Sequence, residues 1–301
     1  MLRRDGTMIA VHPAPTPATD PMTRRSALVS LHVAALLFGF AGLFGKWLVL
    51  PPTAIVLGRT LVAAVSLWAL LWISGEPRGR FEWRLAAGGA VLALHWIAFF
   101  QAIQTSSVAI GLLGYASFPV FVLLLEASML RHALSLGDWM LALVVACGLT
   151  LIAPELRLDN HVVRGLLWGV LSGFTFALLA VGNRQLATRR AAGEIALWQN
   201  ACAAACLLPG FVLAPILPDA RELGLLLVLG VVCTALAHTL FIRSMRVIPA
   251  RVASVVVALE PVYGILLAVV LLREVPTGRT LAGAALIVGA ALVATTRADK
   301  A

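Results

Sequence analysis

Long apolar runs separated by short polar links make up most of this chain. Runs of spanning length fall at about 27–47, 53–74, 84–104, 107–130, 136–153, 163–186, 194–217, 222–243, 251–272 and 279–296. A helix needs about 20 apolar residues to cross a hydrocarbon core about 30 Å thick. Each run is therefore predicted to be a transmembrane helix. Ten of them would use about 200 residues of the chain, which leaves short loops and two tails. Links as short as Gln104-Thr105-Ser106 force consecutive helices to lie side by side and antiparallel. The expected fold is all-α and integral to the membrane.

Composition agrees with that pattern. Of the 301 residues 61% are hydrophobic and 12% charged, with mean hydropathy +0.97; a soluble domain keeps about 25% charged. The net charge of +9 is spread over short loops between apolar runs. It reads as a topology signal and as contacts to anionic lipid headgroups, not as a nucleic-acid surface. Placing the N-terminus in the cytoplasm puts 16 of the 23 Lys and Arg on the cytoplasmic side and 6 on the other, with Arg59 inside a span. That bias predicts a multi-pass protein of a bacterial-type cytoplasmic (inner) membrane with both termini cytoplasmic. Residues 1–26, with Arg3, Arg4, Arg24, Arg25 and four prolines, read as a disordered cytoplasmic tail rather than a cleavable signal peptide, and 297–301 as a second tail. Cys147, Cys202, Cys206 and Cys233 lie in apolar runs without CxxC spacing and read as small buried residues. Most tryptophans fall near span ends and read as interfacial anchors; Trp68 and Trp96 lie deeper and call for packing or a cavity.

The two halves echo each other. Laying Phe118-Pro119-Val120 over Glu260-Pro261-Val262 gives an offset of 142, and Leu130-Arg131-His132 then falls on Leu272-Arg273-Glu274 without a gap. Phe99 falls on Phe241, and His95 one residue short of His238. Residues 27–153 and 163–296 thus read as two units of five spans each. Five is odd, so the second unit must cross the membrane upside down relative to the first. Such inverted repeats characterise carriers whose midplane site opens alternately to each side.

Several pieces resemble the drug/metabolite transporter superfamily, in its EamA-type ten-helix branch. They are Leu37-Phe38-Gly39-Phe40 with Lys46, Arg59-Thr60-Leu61-Val62-Ala63, Ile248-Pro249-Ala250-Arg251, Leu259-Glu260-Pro261-Val262, Leu271-Leu272-Arg273-Glu274 and the stretch Gly283 to Gly289. The resemblance covers about residues 27–296 and implies a 5+5 inverted repeat, a central cavity and export of amino acids or other small metabolites. His95-Trp96 in the third span looks like the aromatic-amino-acid exporter branch. One departure is Phe118-Pro119 where the second half has Glu260-Pro261, which leaves a carboxylate in one half only.

Ionisable groups inside a bilayer cost about 2.5–3.5 kcal/mol each on insertion scales and usually face a bundle interior or an aqueous cavity. The short set here is Arg59, His95, Glu126, His238 and Glu260. Glu260 precedes a proline that kinks its helix; it reads either as a partner for a proton or a substrate amine, or as half of a buried structural pair. Pro119 marks the matching kink. His95, Trp96 and Phe99 read as cavity lining for a planar or amphipathic solute, against the alternative of a histidine satisfied by a neighbouring helix. His238, Tyr115 and Tyr263 are further lining candidates. Arg59 reads as a gating or anion-contacting group or as a side chain snorkelling to the outer surface, and Glu126 as solvated or paired with Arg131.

These residues favour a secondary carrier for a small amphipathic metabolite, with amino acids first. Other small solutes, such as a nucleotide derivative or a drug-like cation, remain open at this point. An intramembrane enzyme would cluster its His, Asp and Glu at one interface, whereas this chain scatters them; a scaffold needs no midplane Glu260. No catalytic motif, P-loop, metal cluster or cofactor signature stands out. The drive is expected from an ion gradient, protons being the candidate, or from the solute's own gradient.

Overall fold

A computed structural model describes residues 22–77, 79–130, 135–152 and 159–298. The helices are α1 (Arg24–Trp47), α2 (Pro52–Ile73), α3 (Trp83–Thr105), α4 (Val108–Tyr115), α5 (Phe118–Leu130), α6 (Leu136–Ile152), α7 (His161–Ala187), α8 (Ala192–Leu213), α9 (Ala220–Gly230), α10 (Ala237–Ser244), α11 (Ala250–Val257), α12 (Glu260–Leu272) and α13 (Gly278–Ala298). A π-helical turn, Val231–Leu236, joins α9 to α10. Seven stretches are individually long and apolar enough to cross a membrane, α4–α5 and α9–α10 each counting as one. The shorter apolar helices α6, α12 (continued backwards by α11) and α13 bring the crossings to ten.

Local chemistry sets the ends. Thr23 caps α1 by accepting from the Ser26 amide, and Asp219 with Glu222 forms a capping box on α9. Pro52 opens α2, where a missing N–H costs nothing. The sequence expectation for α8 ran to 217, but the helix stops at Leu213. Ala214 precedes Pro215, and the proline ring disfavours helical backbone just before it. The expected tail over 1–21, the Arg131-His132 junction and Ala153 lie outside the described residues.

The halves use each other symmetrically. α3 packs on α7 and α8; the α9–α10 span packs in the same way on α1 and α2. α4 and α5 lie against α7, as α12 and α11 lie against α1, while α2 meets α8 and α6 meets α13. The backbone breaks match too. α4 ends at Tyr115 and α5 begins at Phe118; 142 residues on, α11 ends at Val257 and α12 begins at Glu260. Pro119 and Pro261 each sit one residue inside the new helix, so both breaks fall just before a proline. Lys46 Nζ donates to the Ser106 carbonyl at the end of α3 (2.8 Å), and Arg184 donates to the Met245 carbonyl just past α10. With five crossings per half, both described chain ends lie on one face of the bundle, hereafter the terminal face.

Small residues let the halves close on each other. A Cβ on Gly169 of α7 would stand 2.8 Å from Gly114 Cα of α4, and one on Gly39 of α1 would stand 2.9 Å from the Glu260 carbonyl of α12. Two sequence expectations change. Only Cys233 is buried among the cysteines, with Cys147 and Cys206 exposed and Cys202 between, because the apolar runs holding them turn one face outward. Trp68 needs neither core nor cavity: it stacks on Trp72 at 6.1 Å and is about half exposed on the outer surface.

Replacing Gly169 with valine should wedge α7 off α4. The expected cost is about 1–3 kcal/mol, read as a lowered thermal midpoint of the detergent-purified protein, whereas Gly182→Val on the same helix, with nothing near its Cβ, should leave the midpoint close to wild type.

Candidate functional site

Seven helices converge on one cavity at mid-bundle. Its walls are Phe38 and Ala41 of α1, Arg59 of α2, Leu92, His95, Trp96 and Phe99 of α3, Tyr115 of α4, Phe176, Leu179 and Asn183 of α7, His238 and Phe241 of α10 and Glu260 of α12. The space measures about 30 Å³, enough for about one water molecule.

Arg59 is held from three sides. Its Nε donates to Thr234 Oγ1 (2.9 Å), a terminal nitrogen donates to the Cys233 carbonyl (3.3 Å), and the guanidinium lies 3.9 Å above the Trp96 ring. Both oxygens belong to the π turn, where the wider i→i+5 pattern shifts carbonyls out of α register. Thr234 passes the chain on by donating to the Leu229 carbonyl (2.7 Å). The outward snorkel weighed for Arg59 is therefore wrong: it is 1% exposed and lines the cavity. Its position only seven residues into α2 suggested the surface, but the π turn beside it supplies inward partners that lipid cannot.

Glu260 opens α12 at the second backbone break, fully inside the bundle. The Tyr115 hydroxyl donates to its carboxyl group, while Oε2 has no partner. No ion pair joins Glu260 to Arg59 among the described residues. The cavity thus holds a cation and an acid, each anchored to a different element.

Aromatic rings fill the space between them. His95 stands 5.3 Å from Phe176 and 5.8 Å from Tyr115, Tyr115 stacks on Phe118 at 5.0 Å, and Phe176 lies 5.2 Å from Phe241. Two readings of His95 hold at once: its ring faces the cavity, and its Nδ1 is paired with Ser172 of α7, 3.0 Å from both the carbonyl and the hydroxyl. Trp96 meets His238 edge-on at 6.0 Å, and His238 Nδ1 lies 3.3 Å from Asn200 Nδ2 of α8.

Of the candidates, His95, Trp96, Phe99, Tyr115, His238, Glu260 and Arg59 share this cavity. Tyr263 does not; it lies half-buried beside Gly39, because three residues past Glu260 is the α12 flank that packs on α1. Pro119 and Pro261 shape the breaks without lining the space. Glu126, half-buried in α5, also stays outside it, while Arg131 lies outside the described residues. Phe38, Phe176 and Asn183 were missed. Asn183 carried little signal, because it opens the polar Asn183-Arg184-Gln185 stretch at the end of its run, where an amide is ordinary; a lone Phe in an apolar run carries none.

A second, wider space of about 530 Å³ opens at the terminal face between the start of α3 and the facing ends of α7 and α8. Leu179 and Asn183 line both it and the cavity, so they form the partition. There, Gln199 Nε2 donates to Asn183 Oδ1 (2.6 Å), while Asn183 Nδ2 and Gln199 Oε1 are buried without partners. Among the described residues no group of three or more His, Cys, Asp or Glu is placed to hold a metal ion.

Similarity to known proteins fits this architecture. A model of the EamA-like transporter family matches residues 25–153 and again 163–296. The chain is 24% identical over 265 residues to the uncharacterized transporter YxxF of Bacillus subtilis, spanning 83% of each chain. It is 26% identical over 251 residues to the uncharacterized transporter YwfM of the same organism, covering 80% of this chain and 83% of that one. A solved crystal structure with 22% identity superposes with a TM-score of 0.71 over 92% of this chain and 100% of its own, a likeness of fold.

If Arg59 is held by the π turn, Thr234→Val should leave its Nε without an acceptor at nearly constant volume. The expected loss is about 1–3 kcal/mol, measured as thermal midpoint in detergent, with Thr234→Ser close to wild type.

Proposed function

Since the chain belongs to the EamA-like transporter family, we propose that it exports amino acids, aromatic ones foremost, from the cytoplasm by alternating access through the central cavity. One observation carries the reading: the Arg59 guanidinium and the Glu260 carboxyl group are held apart in a single aromatic-walled space. A zwitterion fits between them, its carboxylate toward the guanidinium and its ammonium toward Glu260 Oε2, which lacks a partner. His95, Phe99, Tyr115, Phe176 and Phe241 then offer ring faces and edges to an aromatic side chain.

The mechanism follows from the volume. Small-molecule sites usually run to about 300–1,000 Å³, and the cavity measures about 30 Å³. Carriage therefore needs the helices to part. The close glycine contacts of α7 on α4 and of α1 on α12 fall between crossings that the repeat relates, the sixth on the fourth and the first on the ninth, so the bundle can loosen at one seam while the other stays closed. In this form the wide space lies on the terminal face, which the excess of Lys and Arg assigns to the cytoplasm. Substrate enters there, passes Leu179 and Asn183, and meets Arg59. Glu260 serves as the ammonium partner, and when the substrate has left it is the group available for a counter-moving proton.

Three measurements test this. In proteoliposomes, wild type should move L-phenylalanine, and Glu260→Gln should cut the flux by about tenfold or more, the worth of one charge-assisted hydrogen bond; unaltered flux in a folded variant removes Glu260 from the mechanism, and absent wild-type flux removes the substrate reading. L-tryptophan should compete with phenylalanine, while glycine should not, because it has no ring for the aromatic wall. Tags placed at both chain ends of intact cells should be reachable only after permeabilisation.

A further inference from the structure

The space at the terminal face is more than a passage. Arg84, Arg184, Arg189 and Arg190 line it against one carboxylate, Glu82. Arg190 is spoken for, pairing with Glu82 (3.0 Å) and with Glu194 behind the wall. Arg184 is tied to the Met245 carbonyl. Glu82 also lies 3.7 Å from Arg84. Counting Glu82 and Glu194 against the four arginines leaves two positive charges at the rim. At the floor, Asn183 Nδ2 is a buried hydrogen-bond donor without an acceptor and Gln199 Oε1 a buried acceptor without a donor. Asn183 and Gln199 are each 1% exposed. Buried polar atoms are ordinarily paired, because leaving one unmade costs about 1–3 kcal/mol. Orphans at the floor of a cationic funnel mark a place built for a polar visitor.

We infer that this vestibule is a docking subsite of its own for a soluble carboxylate, drawn in by the arginine rim and received at the floor by the Asn183 amide nitrogen before it reaches the central cavity. It rests on the carrier reading only for its purpose; the binding stands or falls alone. A carboxylate accepts from Asn183 Nδ2, and an ammonium on the same solute can donate to Gln199 Oε1. A neutral or cationic solute gains nothing from the rim. The Asn183–Gln199 hydrogen bond uses the other atom of each amide, so it holds the two side chains in place while leaving Asn183 Nδ2 free to donate.

Trp83 lines the vestibule and is largely exposed, which makes it a local reporter. Its fluorescence, isolated by subtracting a Trp83→Phe variant of the full chain in phosphatidylcholine vesicles, should be quenched by iodide about threefold more efficiently than by caesium. Benzoate should protect it from iodide in a saturable way and benzyl alcohol should not. Asn183→Leu should weaken the benzoate protection by about tenfold. Should that variant misfold, the exposed double variant Arg84→Gln/Arg189→Gln should weaken it instead and also erase the preference for iodide. Equal quenching by the two ions, equal protection by benzyl alcohol, or benzoate protection undiminished in the folded Asn183→Leu variant overturns the inference. Protection that disappears when phosphatidylglycerol is added assigns the site to a lipid phosphate and also overturns it; protection that survives supports it. Absence of phenylalanine flux with benzoate protection intact would sink the substrate reading and leave this one standing.

Discussion

Within a hydrocarbon core an unpaired backbone or charged group has no water to fall back on, and that constraint governs where this chain departs from regular helix. The departures gather inside the bundle. The breaks after Tyr115 and Val257 and the π turn at Val231–Leu236 all lie around the central cavity. Arg59 shows the logic most clearly. Its charge is tolerable in mid-bundle because the π turn presents a hydroxyl and a carbonyl to it and Trp96 presents a ring face. The irregular helix and the buried cation each solve the other's problem.

The inverted repeat turns that local solution into a carrier architecture. Equivalent breaks, close glycine seams and terminal cations capping carbonyls recur in both halves. Yet the chemistry is not symmetric. Glu260 faces the cavity from the second break, while its counterpart Phe118 stacks on Tyr115 in an aromatic cluster. Arg59 and the π turn tie the second crossing to the eighth. The frame is two-fold, while the polar groups at its centre are not.

Membership of the EamA-like transporter family rests on matches to both halves, and the relatives with similar sequences are themselves uncharacterized transporters. The proposed solute class therefore rests on this chain's own side chains, the guanidinium of Arg59 and the carboxyl group of Glu260 in one aromatic wall.

The sequence by itself determined the crossings, their number and the two-fold inversion, because spanning length and odd parity are one-dimensional properties written into runs of apolar residues. It also singled out Glu260, His95, Trp96, Phe99, Tyr115 and His238, since a polar or bulky aromatic residue in mid-span has few other uses. Only the tertiary structure decided which way each side chain turned. Arg59 turned into the cavity and Tyr263 to the α12 flank against α1; Trp68 faced the outer surface; Asn183 and Gln199, from different helices, met beside one partition. Those outcomes depend on helix rotation and on a π turn that adds a residue to one winding, and both are set by packing between segments far apart in the chain. Hydropathy records how deep a residue lies, but the direction in which it points is settled by its neighbours.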